Sequence, residues 1–113
     1  MARAVRVALI GYGYWGPNYA RVFQELPDSQ ITAICEISPE RRQRAQDRYP
    51  QVACTSDVEE VLRRGDVDCL VISTQASTHF ELARRGLESG RHVLVEKPLA
   101  LAVEDCERLC GLA

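Results

Sequence analysis

Three glycines near the start of the chain form a G-x-G-x-x-G motif, Gly11-Tyr12-Gly13-Tyr14-Trp15-Gly16. The motif follows an apolar run with strand character and precedes an amphipathic segment. In that setting the first glycine permits a tight turn, the second lets a pyrophosphate approach the backbone, and the third allows close helix-to-strand packing. The free N–H groups at the start of the next helix favour an anion. The motif therefore predicts a phosphate-binding loop, with a glycine-rich turn that binds nothing as the alternative.

A carboxylate, Glu36, stands about 20 residues after the last glycine, at the predicted end of the second strand. The dinucleotide-binding fingerprint places an acid there to accept hydrogen bonds from the adenosine ribose hydroxyls. Because a carboxylate repels a 2′-phosphate, we expect NAD as the cofactor, with NADP as the alternative. Arg41 and Arg42 lie close enough to weaken this preference. They are interpreted as solvated helix residues; if they point inward, one guanidinium would stack on adenine or neutralise an extra phosphate.

Polar residues follow the predicted fourth strand. The segment from Thr74 to His79 overhangs the crevice opposite the glycine loop, on the other flank of a bound cofactor, and Ser73, the last residue of the strand, is a further candidate contact. Ser77 and Thr78 are predicted to cap the next helix with their hydroxyls. His79 is a candidate cofactor contact, although the sequence by itself does not favour a role in the site.

Glu96, Lys97 and Pro98 follow the predicted fifth strand, at the edge of the sheet where open α/β folds bind ligands. A lysine beside a nicotinamide loses proton affinity through burial and through the positive charge of the ring. Such a lysine is able to move a hydroxyl proton during hydride transfer. The alternative is that Lys97 only pairs with a carboxylate, and spacing alone leaves the two interpretations even.

Short β-rich runs alternate with helical patterns, which predicts an α/β fold: a doubly wound parallel sheet of Rossmann type. Right-handed crossovers give the strand order 3-2-1-4-5, with a crevice between strands 1 and 4. We expect one dinucleotide-binding domain over residues 1–113, ending before a sixth strand and lacking a C-terminal substrate domain. The predicted strands cover residues 5–10, 30–35, 52–55, 68–73 and 92–95.

Helical periodicity predicts which side chains pack on this sheet. The first helix carries Tyr19, Val22, Phe23 and Leu26 on its inner face, and the second begins at Pro39 with Ser38 as its cap. A last helix, from about residue 102, is predicted to present a stripe of four side chains on one face. The stripe consists of Cys106, Leu109, Cys110 and Ala113.

Composition excludes several classes of protein. Hydrophobic residues make up 46% and charged residues 27% of the 113, which is typical of a soluble globular domain. A net charge of −2 with scattered arginines argues against a nucleic-acid partner. The apolar runs are too short for a membrane span, and no secretory signal is present, so we expect a cytoplasmic protein without a membrane partner.

The five cysteines are interpreted as free thiols, since an odd number cannot all pair and three of them lie in strand-like runs. Cys106 and Cys110 are spaced as metal ligands on a helix would be, but no second Cys or His pair accompanies them. We therefore expect no metal site.

Three segments together resemble the Gfo/Idh/MocA family, the glucose-fructose oxidoreductase and inositol dehydrogenase group: residues 11–18, residues 74–79 and residues 90–99. The resemblance spans nearly the whole chain. It implies a two-domain NAD(P)-dependent oxidoreductase acting on a carbon of a sugar, cyclitol or sugar nucleotide, of which this chain is the N-terminal Rossmann domain. The stretch at residues 15–18 looks most like members that act on sugars or nucleotide-linked sugars.

The resemblance also assigns roles. It implies that Lys97 contacts substrate and cofactor as the catalytic residue, that Glu96 supports the nicotinamide side, and that Pro98 follows a cis bond. Gln75 replaces the proline usual in the family after Thr74, and the other acid–base residues of the family belong to a downstream domain. We therefore expect the isolated chain to be inactive, with a small-molecule substrate bound through the other domain and with the oligomeric state undefined.

The alternative hypothesis is a stand-alone dinucleotide-binding or regulatory module without catalysis. The candidate cofactor contacts are Gly11, Tyr12, Gly13, Tyr14, Trp15, Gly16, Glu36, Arg41, Ser73, Thr74, His79, Glu96 and Lys97.

Overall fold

A computed structural model describes residues 3–113 and contains one five-stranded parallel sheet in the order β3-β2-β1-β4-β5. The predicted fold class and strand order are confirmed, with strand ends shifted by one residue at most. The strands are β1 (Val5–Ile10), β2 (Ser29–Cys35), β3 (Ala53–Thr55), β4 (Cys69–Ile72) and β5 (His92–Val95). The helices are α1 (Gly16–Glu25), α2 (Pro39–Arg48), α3 (Val58–Leu62), α4 (His79–Glu88) and α5 (Val103–Leu112), with a 3₁₀ turn at Ala76–Thr78.

Both faces of the sheet are buried, and β1 shows why. Val7 and Leu9 point into a core shared with α1 and α2, whereas Ala8 and Ile10 point into a second core shared with α3, α4 and α5. Side chains alternate between the two faces of a strand, so a strand covered on both sides reads as a continuous apolar run. This central position fixes the loop that follows β1 between two packed layers.

The inner face of α1 differs from the predicted stripe. Gly16 and Ala20 are buried and Phe23 packs against the core, but Val22 and Leu26 are 41% and 47% exposed. The two small residues let the helix lie close to the sheet, which centres the contact on them and turns Val22 outward. Leu26 is already extended backbone beyond the helix end. The prediction that these two side chains pack on the sheet is therefore wrong.

The last helix, α5, packs mainly on α4. Of its predicted stripe, Leu109 is buried and Cys106 half-buried, whereas Cys110 and Ala113 are exposed. Ala113 lies beyond the last helical residue. A helix that rests on another helix buries a narrower strip than one that lies on a sheet, so half of the predicted stripe stays in solvent.

All five cysteines are free thiols. Cys35, at the end of β2, is the most buried, and burial, aided by the negative charge of Glu36, raises the pKa of its thiol to about 11. In the described part of the chain, no three His, Cys, Asp or Glu residues are grouped to hold a metal ion.

Over residues 3–113, none of the helices has the length and apolar character needed to span a bilayer.

Candidate dinucleotide-binding site

The carboxyl ends of the strands bring the predicted residues to one edge of the sheet. The N–H of Gly11 donates to the last residue of β2 (2.7 Å), that of Ser73 to the last residue of β1 (2.8 Å), and that of Glu96 to the last residue of β4 (3.2 Å). The loops after β1, β4 and β5 therefore start side by side, and the winding direction reverses between β1 and β4. This is the predicted crevice.

The three glycines of the loop meet different constraints. Gly11 has φ +100°, and a Cβ there would lie 2.4 Å from the carbonyl oxygen of Ser73. A Cβ on Gly16 would lie 2.3 Å from the carbonyl oxygen of Gly11, so α1 could not approach the loop with any larger residue. A Cβ on Gly13 would meet only the guanidinium of Arg41, at 3.2 Å. Gly11 and Gly16 thus shape the fold, whereas Gly13 leaves one face of the loop open.

The open part of the loop offers unused donors. Within residues 3–113, the backbone N–H groups of Gly13, Tyr14, Trp15 and Gly16 donate to no other group. Tyr14 is 93% exposed and Trp15 48%, so neither side chain fills the loop. No side chain caps α1. Unpaired N–H groups at the positive end of a helix dipole are suited to bind phosphate.

Tyr12 has a structural role in the loop. Its ring is 8% exposed and packs with Ala45 and Tyr49, and burial raises the pKa of its hydroxyl. Its N–H donates to Glu36. Of the predicted cofactor contacts in the loop, this side chain is the one that the structure places in the core, away from the edge.

Glu36 lies at the base of the loop and is 6% exposed. Its Oε1 accepts a hydrogen bond from the Tyr12 N–H at 2.8 Å, and its Oε2 accepts one from the Ser38 N–H at 2.7 Å. A carboxylate has about four acceptor positions, so about two remain for a ligand hydroxyl. Sequence reasoning assigned Glu36 to the ribose alone and missed that it also ties the glycine loop to the start of α2.

Arg41 and Arg42, two of the four arginines of α2, differ in their surroundings. Arg41 is exposed, but its guanidinium lies beside Gly13, at the mouth of the loop. Arg42 donates to the carbonyl of Glu36 at 3.0 Å. Ser38 accepts from the Arg41 N–H, which confirms the predicted helix cap. Arg42 is thus half-buried and hydrogen-bonded and not freely solvated, whereas Arg41 is exposed as interpreted but lies at the loop. A contact of either guanidinium with adenine or an extra phosphate stays a prediction.

The loop after β4 forms the other flank. Ser73 is 9% exposed, and its hydroxyl has no hydrogen-bond partner among the described residues. The hydroxyl of Thr74 lies 2.6 Å from that of Thr78. The predicted capping by Ser77 or Thr78 is wrong, because a 3₁₀ turn precedes α4 and gives Thr78 a helical backbone, without a capping hydrogen bond from its side chain.

His79 begins α4 and is 1% exposed. Its Nδ1 lies 2.7 Å from the carbonyl oxygen of Pro98, and its Nε2 lies 3.1 Å from the carbonyl oxygen of Thr74. The structure thus brings His79 to the site but places it beneath the loops, out of reach of a ligand.

The loop after β5 holds the predicted catalytic residue. Glu96 is half-buried and accepts a hydrogen bond from the Tyr19 hydroxyl at 3.1 Å. Burial, and then this bond, raises the pKa of Tyr19, which keeps the hydroxyl protonated as the donor. Lys97 is exposed, so this chain alone does not supply the burial expected for it. The Lys97–Pro98 bond is cis, as the resemblance implied.

Tyr19 was missed as a site residue. It lies on the inner face of α1, three residues after the last glycine of the motif, and that position was the available signal. Its contact with Glu96 links two elements that are distant in sequence, and only the fold reveals it.

Residues 5–113 match the family described as "Oxidoreductase family, NAD-binding Rossmann fold". The chain belongs to the Gfo/Idh/MocA family. A protein of Phocaeicola vulgatus named glycosyl hydrolase family 109 protein 4 is 33% identical over 117 residues, which cover 96% of this chain and 23% of that protein. The predicted family is confirmed, and the chain spans less than a third of this relative.

Several solved structures superpose closely on this chain. GenD2 from gentamicin A biosynthesis, in complex with NAD, is 28% identical with a TM-score of 0.94 over 100% of this chain. Biliverdin reductase from Synechocystis, with biliverdin and NADP+, is 28% identical with a TM-score of 0.91 over 96%. The WlbA dehydrogenase from Bordetella pertussis, with NADH and UDP-GlcNAcA, is 30% identical with a TM-score of 0.89 over 97%. This chain covers 32–34% of each.

The nicotinamide dinucleotide of the Gfo/Idh/MocA family fits the chemistry of this edge. Unpaired N–H groups at residues 13–16 suit a pyrophosphate, and Glu36 keeps acceptor positions for a ribose hydroxyl. The buried hydroxyl of Ser73, without a partner in the described chain, adds a polar group on the opposite flank. A buried hydroxyl without a partner is costly, and this one lies where the fold binds its ligands.

Proposed function

We propose that this chain is the cofactor-binding part of an oxidoreductase that transfers a hydride between NAD(P) and an alcohol or ketone carbon of a sugar or sugar nucleotide. The observation that carries the proposal is the glycine loop, whose four unpaired N–H groups stand beside the buried carboxylate of Glu36. Confinement of the protein to the cytoplasm stays a prediction from the sequence.

In this proposal each loop has one task. The loop at Gly11 holds the pyrophosphate, Glu36 accepts from the adenosine ribose, and Ser73 with Thr74 lines the other flank. When bound, the nicotinamide accepts or donates the hydride. Lys97 moves the proton of the reacting hydroxyl, which general acid–base catalysis requires from a group within hydrogen-bond reach. Because Lys97 is exposed here, the substrate and a second domain would complete its burial, and the chain alone would turn over no substrate.

The sugar class is supported by the glycosyl hydrolase relative and by the WlbA dehydrogenase with its bound UDP-GlcNAcA. Biliverdin reductase has the same fold over this domain but binds a different substrate, biliverdin. The fold of the cofactor-binding domain therefore does not determine the substrate. A second candidate, favoured by the relative's name, is hydrolysis of a glycoside with the same cofactor, since NAD-dependent glycosidases exist. Net accumulation of NADH separates an oxidoreductase from such a hydrolase.

The cofactor assignment is tested with NAD and NADP titrations of the chain. In Glu36→Ala, NAD affinity falls because the ribose acceptor is lost, and the preference for NAD over NADP falls about tenfold because the repulsive charge is gone. In Arg41→Ala we expect the preference for NAD over NADP to rise, because a cation that would attract the 2′-phosphate is removed from the loop.

Glu40→Ala is the matched control, because Glu40 is an exposed carboxylate in the first turn of α2, the helix that follows Glu36 and carries Arg41. Glu36→Ala also removes the hydrogen bonds of Glu36 to the loop, and this loss should weaken the binding of NAD and NADP equally. A change in the ratio of the two affinities therefore measures the effect of the carboxylate charge. A ratio that stays constant in both variants excludes the ribose assignment.

The place of Lys97 is tested by chemical labelling, because it is the only lysine in the sequence. We expect NAD+ to protect the Lys97 amine from reductive methylation, measured by peptide mass spectrometry. ADP-ribose contains the same pyrophosphate and both riboses but no nicotinamide, so it should protect weakly. Equal protection by both ligands would place Lys97 away from the nicotinamide.

A further inference from the structure

The ring of His79 joins two loops of the candidate site. Its Nδ1 contacts the carbonyl oxygen of Pro98 at 2.7 Å, and its Nε2 contacts that of Thr74 at 3.1 Å. The ring is 1% exposed and is the first residue of α4, so the body of the helix holds it in place. Both contacts are to backbone groups, which any residue would present at those positions.

The contact to Pro98 is significant because few hydrogen bonds support the chain there. The β4–β5 ladder ends where the Glu96 N–H donates to β4. Lys97, Pro98 and Leu99 are exposed. Across residues 97–101, as described, the bond from His79 is the hydrogen bond that ties the segment to the rest of the fold. Without it, no hydrogen bond would hold the segment that carries Lys97 between its two ends, and the buried side chain of Ala100 would be its remaining anchor.

We propose that His79 is a positioning residue that clamps the loop after β5 onto the start of α4 through the Pro98 carbonyl and thereby sets Lys97 against the nicotinamide. The proposal rests on the proposed function, since it concerns where a bound cofactor finds Lys97. His79 touches neither cofactor nor substrate. It acts through the Pro98 carbonyl, one residue from the lysine.

The two ring nitrogens make separable contributions. A neutral imidazole carries one N–H and donates to one of the two carbonyls, whereas a protonated ring donates to both. The amide nitrogen of asparagine reaches about as far as Nδ1, and that of glutamine about as far as Nε2. His79→Asn therefore keeps a donor for Pro98, and His79→Gln keeps one for Thr74.

The test compares NAD+ with ADP-ribose, by calorimetry and by labelling of Lys97, on the full chain. In His79→Gln we expect the Kd for NAD+ to rise by about three- to tenfold, the scale of one lost hydrogen bond, with the Kd for ADP-ribose changed less than twofold. Protection of Lys97 by NAD+ should weaken. His79→Asn should stay near the wild type, and so should His92→Gln, the matched change at the exposed second histidine.

Each outcome decides the proposal. A role in stability alone would lower the melting temperature of both His79 variants and leave the ratio of the two Kd values unchanged, which overturns the clamp. Equal weakening of both ligands also overturns it. If neither ligand binds the wild type, the proposed function fails and the clamp fails with it.

If the variants do not fold, the ring nitrogens of the wild type are followed by ¹⁵N NMR. NAD+ should shift the His79 resonances and ADP-ribose should not, because only NAD+ has a nicotinamide to contact the loop after β5. The same shift with both ligands would overturn the proposal.

Discussion

Of the glycines in the loop, Gly16 is required for the packing of the fold, whereas Gly13 leaves room for a ligand. Gly16 faces the carbonyl oxygen of Gly11 at a distance that excludes a side chain, whereas Gly13 faces only the flexible end of Arg41. A methyl group at residue 16 must push α1 away from the loop. A methyl group at residue 13 needs only a shift of one guanidinium.

We therefore predict that Gly16→Ala destabilises the protein by about 2 kcal/mol or more, the scale of overpacking, in urea denaturation. Gly13→Ala should change stability by less than about 1 kcal/mol but weaken NAD binding at least about tenfold, because the new methyl group occupies the face open to pyrophosphate. Gly65→Ala is the control, since a Cβ there has nothing within 4 Å. Normal NAD affinity in Gly13→Ala would contradict the assigned path of the cofactor.

The sequence predicted the residue types of the site better than their contacts. Spacing placed Glu36 at a strand end next to the glycine loop, because strand length and the parallel fold determine that position. It did not predict that both oxygens of Glu36 bind backbone N–H groups, since that depends on how closely the start of α2 approaches the loop. The burial of His79 was missed for the same reason: its two partners, Thr74 and Pro98, are brought together only by the pairing of β4 with β5.

At the scale of the elements, order and topology followed from the pattern, and the packing faces did so only in part. Alternating strands and helices determine a parallel sheet and its strand order through the handedness of crossovers. The exact face of α1 depends on the closeness that Gly16 and Ala20 allow, and periodicity does not encode that distance. For this reason Val22 was placed wrongly although its helix was predicted correctly.

The amino ends of β1 and β4 are joined by an ion pair. The Asp68 carboxylate accepts from the backbone N–H of Arg6 at 2.9 Å and from its Nε and Nη2 at 3.1 and 3.0 Å, with a further contact to Arg3. These bonds, first among them the side-chain bond to Arg6, hold the pKa of Asp68 well below its usual range. The folded protein therefore binds a proton at this site less readily than the unfolded chain does.

This shift predicts the pH dependence of stability. A depressed pKa gives stability that is present above the unfolded value of about 3.9 and is lost as the pH falls toward the folded value. The advantage of the wild type over Asp68→Asn should thus be constant above about pH 5 and should shrink below about pH 4, measured by urea denaturation from pH 3 to pH 7. Asp28→Asn, at an exposed carboxylate, is the control. An advantage that does not change with pH would contradict the role of the charge.

At the scale of the whole molecule, the candidate site and this ion pair lie at opposite ends of one sheet. Among the described residues, the carboxyl edge carries loops with unpaired donors and a hydroxyl without a partner, and the amino edge carries paired charges. The surface depression at the amino edge is lined by side chains that include Arg3, Asp68 and Arg91. Changes at one edge should therefore leave the function of the other intact.

Independence of the two edges is tested by cofactor-dependent stability. A ligand at 100 times its Kd stabilises the folded state by about 2.7 kcal/mol. We predict that NAD+ at that level stabilises the wild type and Asp68→Asn by the same increment, within about 0.5 kcal/mol, although the variant starts from a lower stability. Gly13→Ala should start near the wild type and, because its Kd is at least about tenfold higher, show an increment of about 1.4 kcal/mol or less at the same NAD+ concentration. A reduced increment in Asp68→Asn would mean that the sheet transmits changes from one edge to the other.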